Sequence, residues 1–114
     1  MSDIIDWPGL SGKLYRYWFL ANPRSPSAIK SEAGNYAFVK RLPTGLYVPL
    51  YFGIADDLSA RIPFHERWTD AMRAGATDVM THTTPNGASA REAEERDLIQ
   101  RWNPPLNVHH RSVG

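Results

Sequence analysis

The sequence predicts an α+β domain, a small antiparallel β-sheet flanked by helices. Three observations carry that expectation. Two strand-like runs, residues 36–42 and 47–54, lie on either side of a turn holding Pro43 and Gly45, the pattern of an antiparallel hairpin. Two helix-like segments follow, each with its own start and stop signals. A short β-branched run, residues 78–83, separates them. These give three central strands. At 114 residues the chain reads as one domain, large enough to bury about two-thirds of its unfolded surface.

Ahead of the hairpin, residues 14–20 are aromatic-rich and read as a strand that could add to the sheet edge, and residues 21–32, with Pro23, Pro26 and three serines, read as a loop. After the hairpin, Asp56 and Asp57 are N-cap candidates for a helix opening at Leu58, because a short acidic side chain can accept from free backbone N–H groups there. Pro63 interrupts that helix, so it should kink or restart near Phe64. Residues 70–74 continue helically and Gly75 ends the run. Asn86-Gly87 reads as a turn, Ser89 with Glu92 as a capping box for the last helix, and Pro104-Pro105 as its end.

Composition narrows the function classes. The chain has no cysteine, which excludes disulfides, thiol nucleophiles and Cys-based zinc sites and fits a reducing compartment. Residues 1–9 lack the basic-then-apolar pattern of a signal peptide, and no run approaches the roughly 18 apolar residues of a membrane helix, so a cytoplasmic location is expected. Thirteen basic and twelve acidic side chains leave a net charge of only +1, against a uniform basic coat. The distribution is lopsided. Residues 13–41 carry six basic side chains and one acid, whereas residues 78–97 carry five acids and two arginines. Such a field can present a basic face to an anionic partner, although scatter over a small surface reads equally well.

The strongest signals are polar residues where apolar ones belong. Leu98, Ile99 and Trp102 mark the buried stripe of the last helix, and at about 100° per residue Glu95 points within roughly 15° of its centre. Glu92 and Glu94 fall about 70–90° away, and Asp97 points outward. A carboxylate aimed at the core must be paired, hydrogen-bonded or metal-bound; pairing with a core-edge arginine is the plainer reading. On the preceding helix, Leu58, Arg61, Ile62 and His65 fall at i, i+3, i+4 and i+7. Each polar member has an ordinary explanation, Arg61 by snorkelling and His65 by a hydrogen bond at the core rim. Three such intrusions on two helices point to a shared site. Tyr36 and Tyr51 lie on the strands, where tyrosines usually pack. Gly53, inside an apolar run, suggests a bulge or a close backbone approach.

These residues resemble the GIY-YIG nuclease superfamily. The run Tyr51-Phe52-Gly53-Ile54-Ala55-Asp56-Asp57-Leu58-Ser59-Ala60-Arg61-Ile62-Pro63-Phe64-His65 is similar to the second half of its signature: Tyr-Ile-Gly, a turn, an acid and Leu, then Arg, then often His. Gly34-Asn35-Tyr36 stands where the family has Gly-Ile-Tyr. Glu95 with Leu98-Ile99, followed by Asn103-Pro104-Pro105-Leu106-Asn107, resembles the closing glutamate and asparagine. The likeness spans residues 34–107. Asn35 and Phe52 depart from it by replacing isoleucines, and the two tyrosines lie further apart than usual, which fits a longer hairpin loop at residues 42–46. Residues 1–33 read as an extension without an assigned role.

The resemblance implies a metal-dependent endonuclease that hydrolyses phosphodiester bonds of DNA at one divalent ion, Mg²⁺ or Mn²⁺, with Glu95 as the metal's protein ligand. It implies that Tyr36 holds or deprotonates the attacking water with Tyr51 and His65 assisting, that Arg61 stabilises charge on the phosphate, and that Asn107 orients the site. A hard cation that keeps its waters needs few protein oxygens, and phosphoryl transfer needs cations aimed at the phosphate. Lys13, Arg16, Lys40 and Arg41 are candidate DNA contacts. Trp7, Tyr15, Tyr17, Trp18 and Phe19, interleaved with Lys13 and Arg16, read as either an added strand packing on the sheet or a stacking platform for unpaired bases, hence an inclination to single-stranded or branched DNA. A protein partner could supply targeting. The rival reading is a nucleic-acid-binding module of the same fold without catalysis.

Overall fold

A computed structural model describes residues 3–83 and 87–107. They form one antiparallel sheet of five strands in the spatial order β1-β2-β5-β3-β4. The strands are β1 Ile4–Pro8, β2 Leu14–Phe19, β3 Gly34–Arg41, β4 Tyr47–Ala55 and β5 Asp78–His82. Helices α1 Leu58–Arg61 and α2 Trp68–Arg73 follow β4, and α3 Ala88–Trp102 follows β5.

The β3–β4 hairpin forms as the sequence suggests, with Tyr36 opposite Gly53 and Phe38 opposite Tyr51. Its loop closes by Leu42 N–H donating to Leu46 C=O at 2.7 Å, and Gly45 takes the positive φ of 91° that the turn requires. A register shift leaves Leu50 of β4 as an extra residue opposite the Phe38–Val39 step, a bulge beside Pro49, which is tolerated because β4 is an edge strand.

Strand alternation divides the core. Tyr36, Phe38 and Val79 face α1 and α2 and pack with Ile29, Leu58, Ile62 and Trp68. Ala37, Val39, Phe52 and Met80 face α3 and pack with Trp7, Tyr17, Leu98 and Ile99. Asn35, where the signature has isoleucine, is fully buried and donates through Nδ2 to Arg91 C=O at 3.0 Å, tying β3 to α3.

Four expectations need correction. The sheet has five strands rather than three plus a possible edge strand: β2 is interior, covered by β1 on one side and β5 on the other. Asp6 and Pro8 hide β1 from a β-propensity reading, yet Ile5 and Trp7 alternate onto the α3 side. The Pro63 break also delays the next helix to Trp68, not Phe64. At the start of α3, Gly87 occupies the N-cap with φ 91°, so Ser89 and Glu92 lie within the helix and form no capping box; Asn86 lies outside the described residues.

The fourth correction is the phase of α3. Glu94, not Glu95, is its most buried carboxylate, 4% exposed. It accepts from Tyr17 Oη at 2.8 Å and contacts His82 Nδ1 at 3.0 Å. The β1–β2 hairpin extends the surface that α3 covers, which rotates the buried arc from Ile99 towards Leu98 and brings Glu94 into it. Asp97 is likewise not left to solvent. It accepts from Ser11 N–H at 2.9 Å, Ser11 Oγ at 2.6 Å and Tyr15 Oη at 2.7 Å, fastening the hairpin to α3.

Candidate active site

The site is assembled at the β4 edge of the sheet. Asp57 caps α1 through Oδ1, which accepts from Ser59 N–H at 3.0 Å, and this starts the turn that carries Arg61. Pro63 then prevents α1 from continuing. The chain turns back so that His65 N–H donates to Ile62 C=O at 3.3 Å, and the imidazole enters the sheet face instead of following a helical stripe.

There His65 is 3% exposed and Tyr36 1%, with His65 Nε2 2.7 Å from Tyr36 Oη. The direction of that bond is fixed by the other ring nitrogen. Nδ1 accepts from Arg67 N–H at 3.0 Å, so in the neutral ring the proton sits on Nε2 and donates to the Tyr36 oxygen. Burial, reinforced by the Arg61 charge, lowers the His65 pKa to about 4, so the ring is neutral at pH 7. The Tyr51 ring lies 5.2 Å from that of His65 and 6.1 Å from that of Tyr36. Burial, and then the neighbouring Tyr51, raise the pKa of Tyr36, while Arg61 works in the opposite direction. Tyr51 is raised by burial and by the charge of Glu95.

Gly53 is required by this arrangement. A Cβ there would meet Tyr36 Cζ at 2.5 Å and Oη at 2.6 Å, so it is a close approach and not a bulge. Asn107 secures the same strand. Its Oδ1 accepts from Phe52 N–H and its Nδ2 donates to Phe52 C=O, both at 2.9 Å, pairing the outward backbone of the edge residue between Tyr51 and Gly53. Asn107 thus holds the strand and does not itself reach the tyrosines.

Arg61 is half-buried, and its fork is held end-on by the exposed Glu66, with bonds of 2.8 and 3.1 Å. That ion pair raises the arginine pKa and lowers Glu66 to about 2. Glu66 had no sequence signal: it sits five residues on, across a proline-broken turn, where no helical period applies.

Glu95, one turn before Ile99, is partly buried and opens onto a pocket of about 380 Å³ with Glu92, Arg96 and Gln100. Burial, and then the charge of Glu92, push its pKa up to about 7. Unlike Glu94, it has no hydrogen-bond partner among the described residues. No described group of three or more His, Asp or Glu side chains clusters at metal-binding distance, so a cation at Glu95 would have water or substrate as its other ligands. A lone carboxylate with raised proton affinity, facing an open polar pocket, is a fitting anchor for a hard cation that keeps its waters.

The four basic residues proposed from sequence are not brought together. Lys13 and Arg16 belong to the β1–β2 hairpin, and Arg16 is held by Asp6 through bonds of 2.9 and 3.2 Å. Lys40 and Arg41 end β3, on the other side of β5.

No protein-family model matches the chain, and no curated protein matches it. Solved structures do. The GIY-YIG N-terminal endonuclease domain of UvrC from Thermotoga maritima, bound to magnesium as its catalytic divalent cation, is 25% identical with a TM-score of 0.54, covering 68% of this chain and 84% of that one. Two point mutants of that domain, each bound to its catalytic divalent cation, match at 26% identity with TM-score 0.54 and 27% with 0.52, each covering 68% of this chain and 83% of theirs. With the two signature tripeptides on paired strands, meeting at Tyr36 and Gly53, this likeness defines a GIY-YIG-like endonuclease. The chain belongs to the GIY-YIG nuclease superfamily.

Proposed function

We propose that this protein is a magnesium-dependent DNA endonuclease, acting in the cytoplasm, that favours single-stranded or branched DNA over plain duplex. The observation that carries the reading is the unpartnered Glu95 carboxylate, set close enough to Tyr51 for its charge to raise that phenol's pKa. A divalent ion held by Glu95 would supply charge neutralisation at the phosphate and lower the pKa of bound water.

The chain's own residues do the rest. Arg61, whose guanidinium also interacts with Tyr36, is the phosphate contact; the exposed Glu66 pair is weak enough for the phosphate to displace it and take the fork. Tyr36 receives a hydrogen bond from His65 Nε2–H and directs its own O–H towards Tyr51, so the two phenols together orient the attacking water. The same N–H would stabilise a Tyr36 phenolate, so His65 acts as a donor and not as the base. Tyr51 lies beside both, and Asn107 keeps β4 in place beneath them. This residue set argues against the non-catalytic rival, because a binding module has no need of a buried Tyr–His pair beside an unpaired carboxylate.

The test is incubation of the purified protein with end-labelled single-stranded, duplex and forked DNA of one sequence, in Mg²⁺ and in chelator. Cleavage is expected only with the metal, fastest on the forked or single-stranded substrate, with binding that weakens as salt rises. Equal cutting in chelator contradicts the metal role. Better cutting of plain duplex contradicts the substrate preference.

A further inference from the structure

The N-terminal hairpin places one aromatic side chain apart from the others. Trp7 and Tyr17 are 2% and 0% exposed, and Tyr15 and Phe19 pack beside them on the α3 side of the sheet. Trp18 alternates to the opposite face and is 48% exposed although its strand is interior. That face is the one carrying Tyr36. Trp18 stands opposite Thr81, Thr81 opposite Tyr36, and Tyr36 opposite Gly53, so the four form one row across β2, β5, β3 and β4. Directly opposed residues project to the same side, and two strand spacings put Trp18 about 10 Å from Tyr36 along that row.

Beside Trp18 lies a second pocket of about 380 Å³, walled by Ile29 and Leu58 and edged by Thr81 and Thr83. Lys30 is the single charged side chain among the described residues that line it. Leu58 opens α1 and Arg61 closes it, so this short helix has the pocket at one end and the candidate phosphate contact at the other.

We propose that this pocket binds an unpaired nucleobase of the DNA substrate, stacked on Trp18, with Lys30 on the adjoining phosphate and the threonine hydroxyls available to the base edge. The inference rests on the nuclease reading above. An indole face, one cation, no anion and two neutral hydroxyls match the chemistry of a single-stranded nucleotide. A paired base keeps both faces stacked within the helix and cannot enter. Tyr36 and Gly53 are covered by α1 and α2, so a strand leaving the cleavage point would pass over α1, from Arg61 at one end to the pocket at the other. An aromatic platform within reach of the phosphate site gives the preference for open DNA a physical source.

The experiment compares wild type with Trp18→Val, which keeps a strand-forming residue, and Trp18→Phe, which keeps a ring. Binding of a fluorescein-labelled fork with a single-stranded arm, and of the matching full duplex, is followed by anisotropy in chelator. Cleavage of both is then measured in Mg²⁺. Trp18→Val is expected to weaken fork binding by about five- to a hundredfold, the usual range for losing one base–aromatic stack. Trp18→Phe should fall between, and duplex binding should stay unchanged. Equal fork affinity in wild type and Trp18→Val overturns the proposal, as does an equal loss on fork and duplex. Should Trp18→Val melt early, Lys30→Glu, at an exposed position, decides by the same comparison. Absence of Mg²⁺-dependent cleavage of any DNA by wild type overturns the nuclease reading, whereas intact cleavage with an indifferent Trp18 overturns the pocket alone.

Discussion

His65 ties the chemistry of the site to the stability of the fold. It donates through Nε2 to Tyr36 and accepts at Nδ1 from the backbone, an arrangement available only to the neutral ring. Its pKa falls from 6.5 unfolded to about 4 folded, so between those values the unfolded chain holds more of the proton. The stability this neutral ring contributes is complete above pH 6.5 and is lost as pH falls through about 4. Glu95 works in the opposite sense: its raised pKa makes the fold lose stability as pH rises from 4.5 through about 7. His65→Gln keeps a side-chain N–H without the titration, so the difference in melting temperature between wild type and His65→Gln should shrink as pH drops from 7 to 4. Parallel melting profiles over that range would contradict the assignment. Arg61, His65 and Glu95 were legible in the sequence as polar intrusions. The buried Glu94 was not, because its partners Tyr17 and His82 come from two strands remote in sequence and only the assembled sheet shows them.

At the scale of elements, the β3–β4 hairpin is the part of the site least tolerant of change. Tyr36 crosses Gly53 so closely that Gly53→Ala would push its added carbon into a buried phenol ring and against Tyr51 Cε2 at 2.9 Å. A cost of about 1–3 kcal/mol is expected from such overpacking, with a large loss of cleavage because Tyr36 moves off His65. Thermal melting and single-turnover cleavage check the two parts; unchanged activity in folded Gly53→Ala would contradict the close approach. The hairpin, the Asp57 cap, the Gly75 stop and β5 were readable because each is set by local chemistry: alternation, a capping side chain, a positive φ, a β-branched run. The start of α3 was misread for a related reason. Ser89 and Glu92 carry the spacing of a capping box, yet the backbone turns at Gly87, whose freedom at φ 91° sets the boundary earlier. β1 escaped notice since its value lies in what it covers, not in its residue types.

Over the whole molecule, the added β1–β2 hairpin accounts for most of what the sequence misplaced. It widens the sheet to five strands, turns the buried arc of α3 towards Glu94, and engages Asp97. The proposed role of Glu95 is compatible with that rotation, because Glu95 is left partly buried, without a hydrogen-bond partner among the described residues and facing a polar pocket lined by α3, while Glu94 is occupied by the fold. On the proposed reading the two carboxylates have separable roles. Glu94→Gln would disturb a buried network and Glu92 borders the Glu95 pocket, so exposed Glu32 supplies the neutral control. The most direct measurement is single-turnover cleavage of forked DNA in Mg²⁺ by wild type, Glu95→Gln and Glu32→Gln, with melting temperatures alongside. Glu95→Gln should stay folded, bind the fork at least as well as wild type, and cut it roughly 10²–10³-fold more slowly, with Glu32→Gln near wild type. Wild-type cleavage by Glu95→Gln would contradict the metal site and, with it, the functional account.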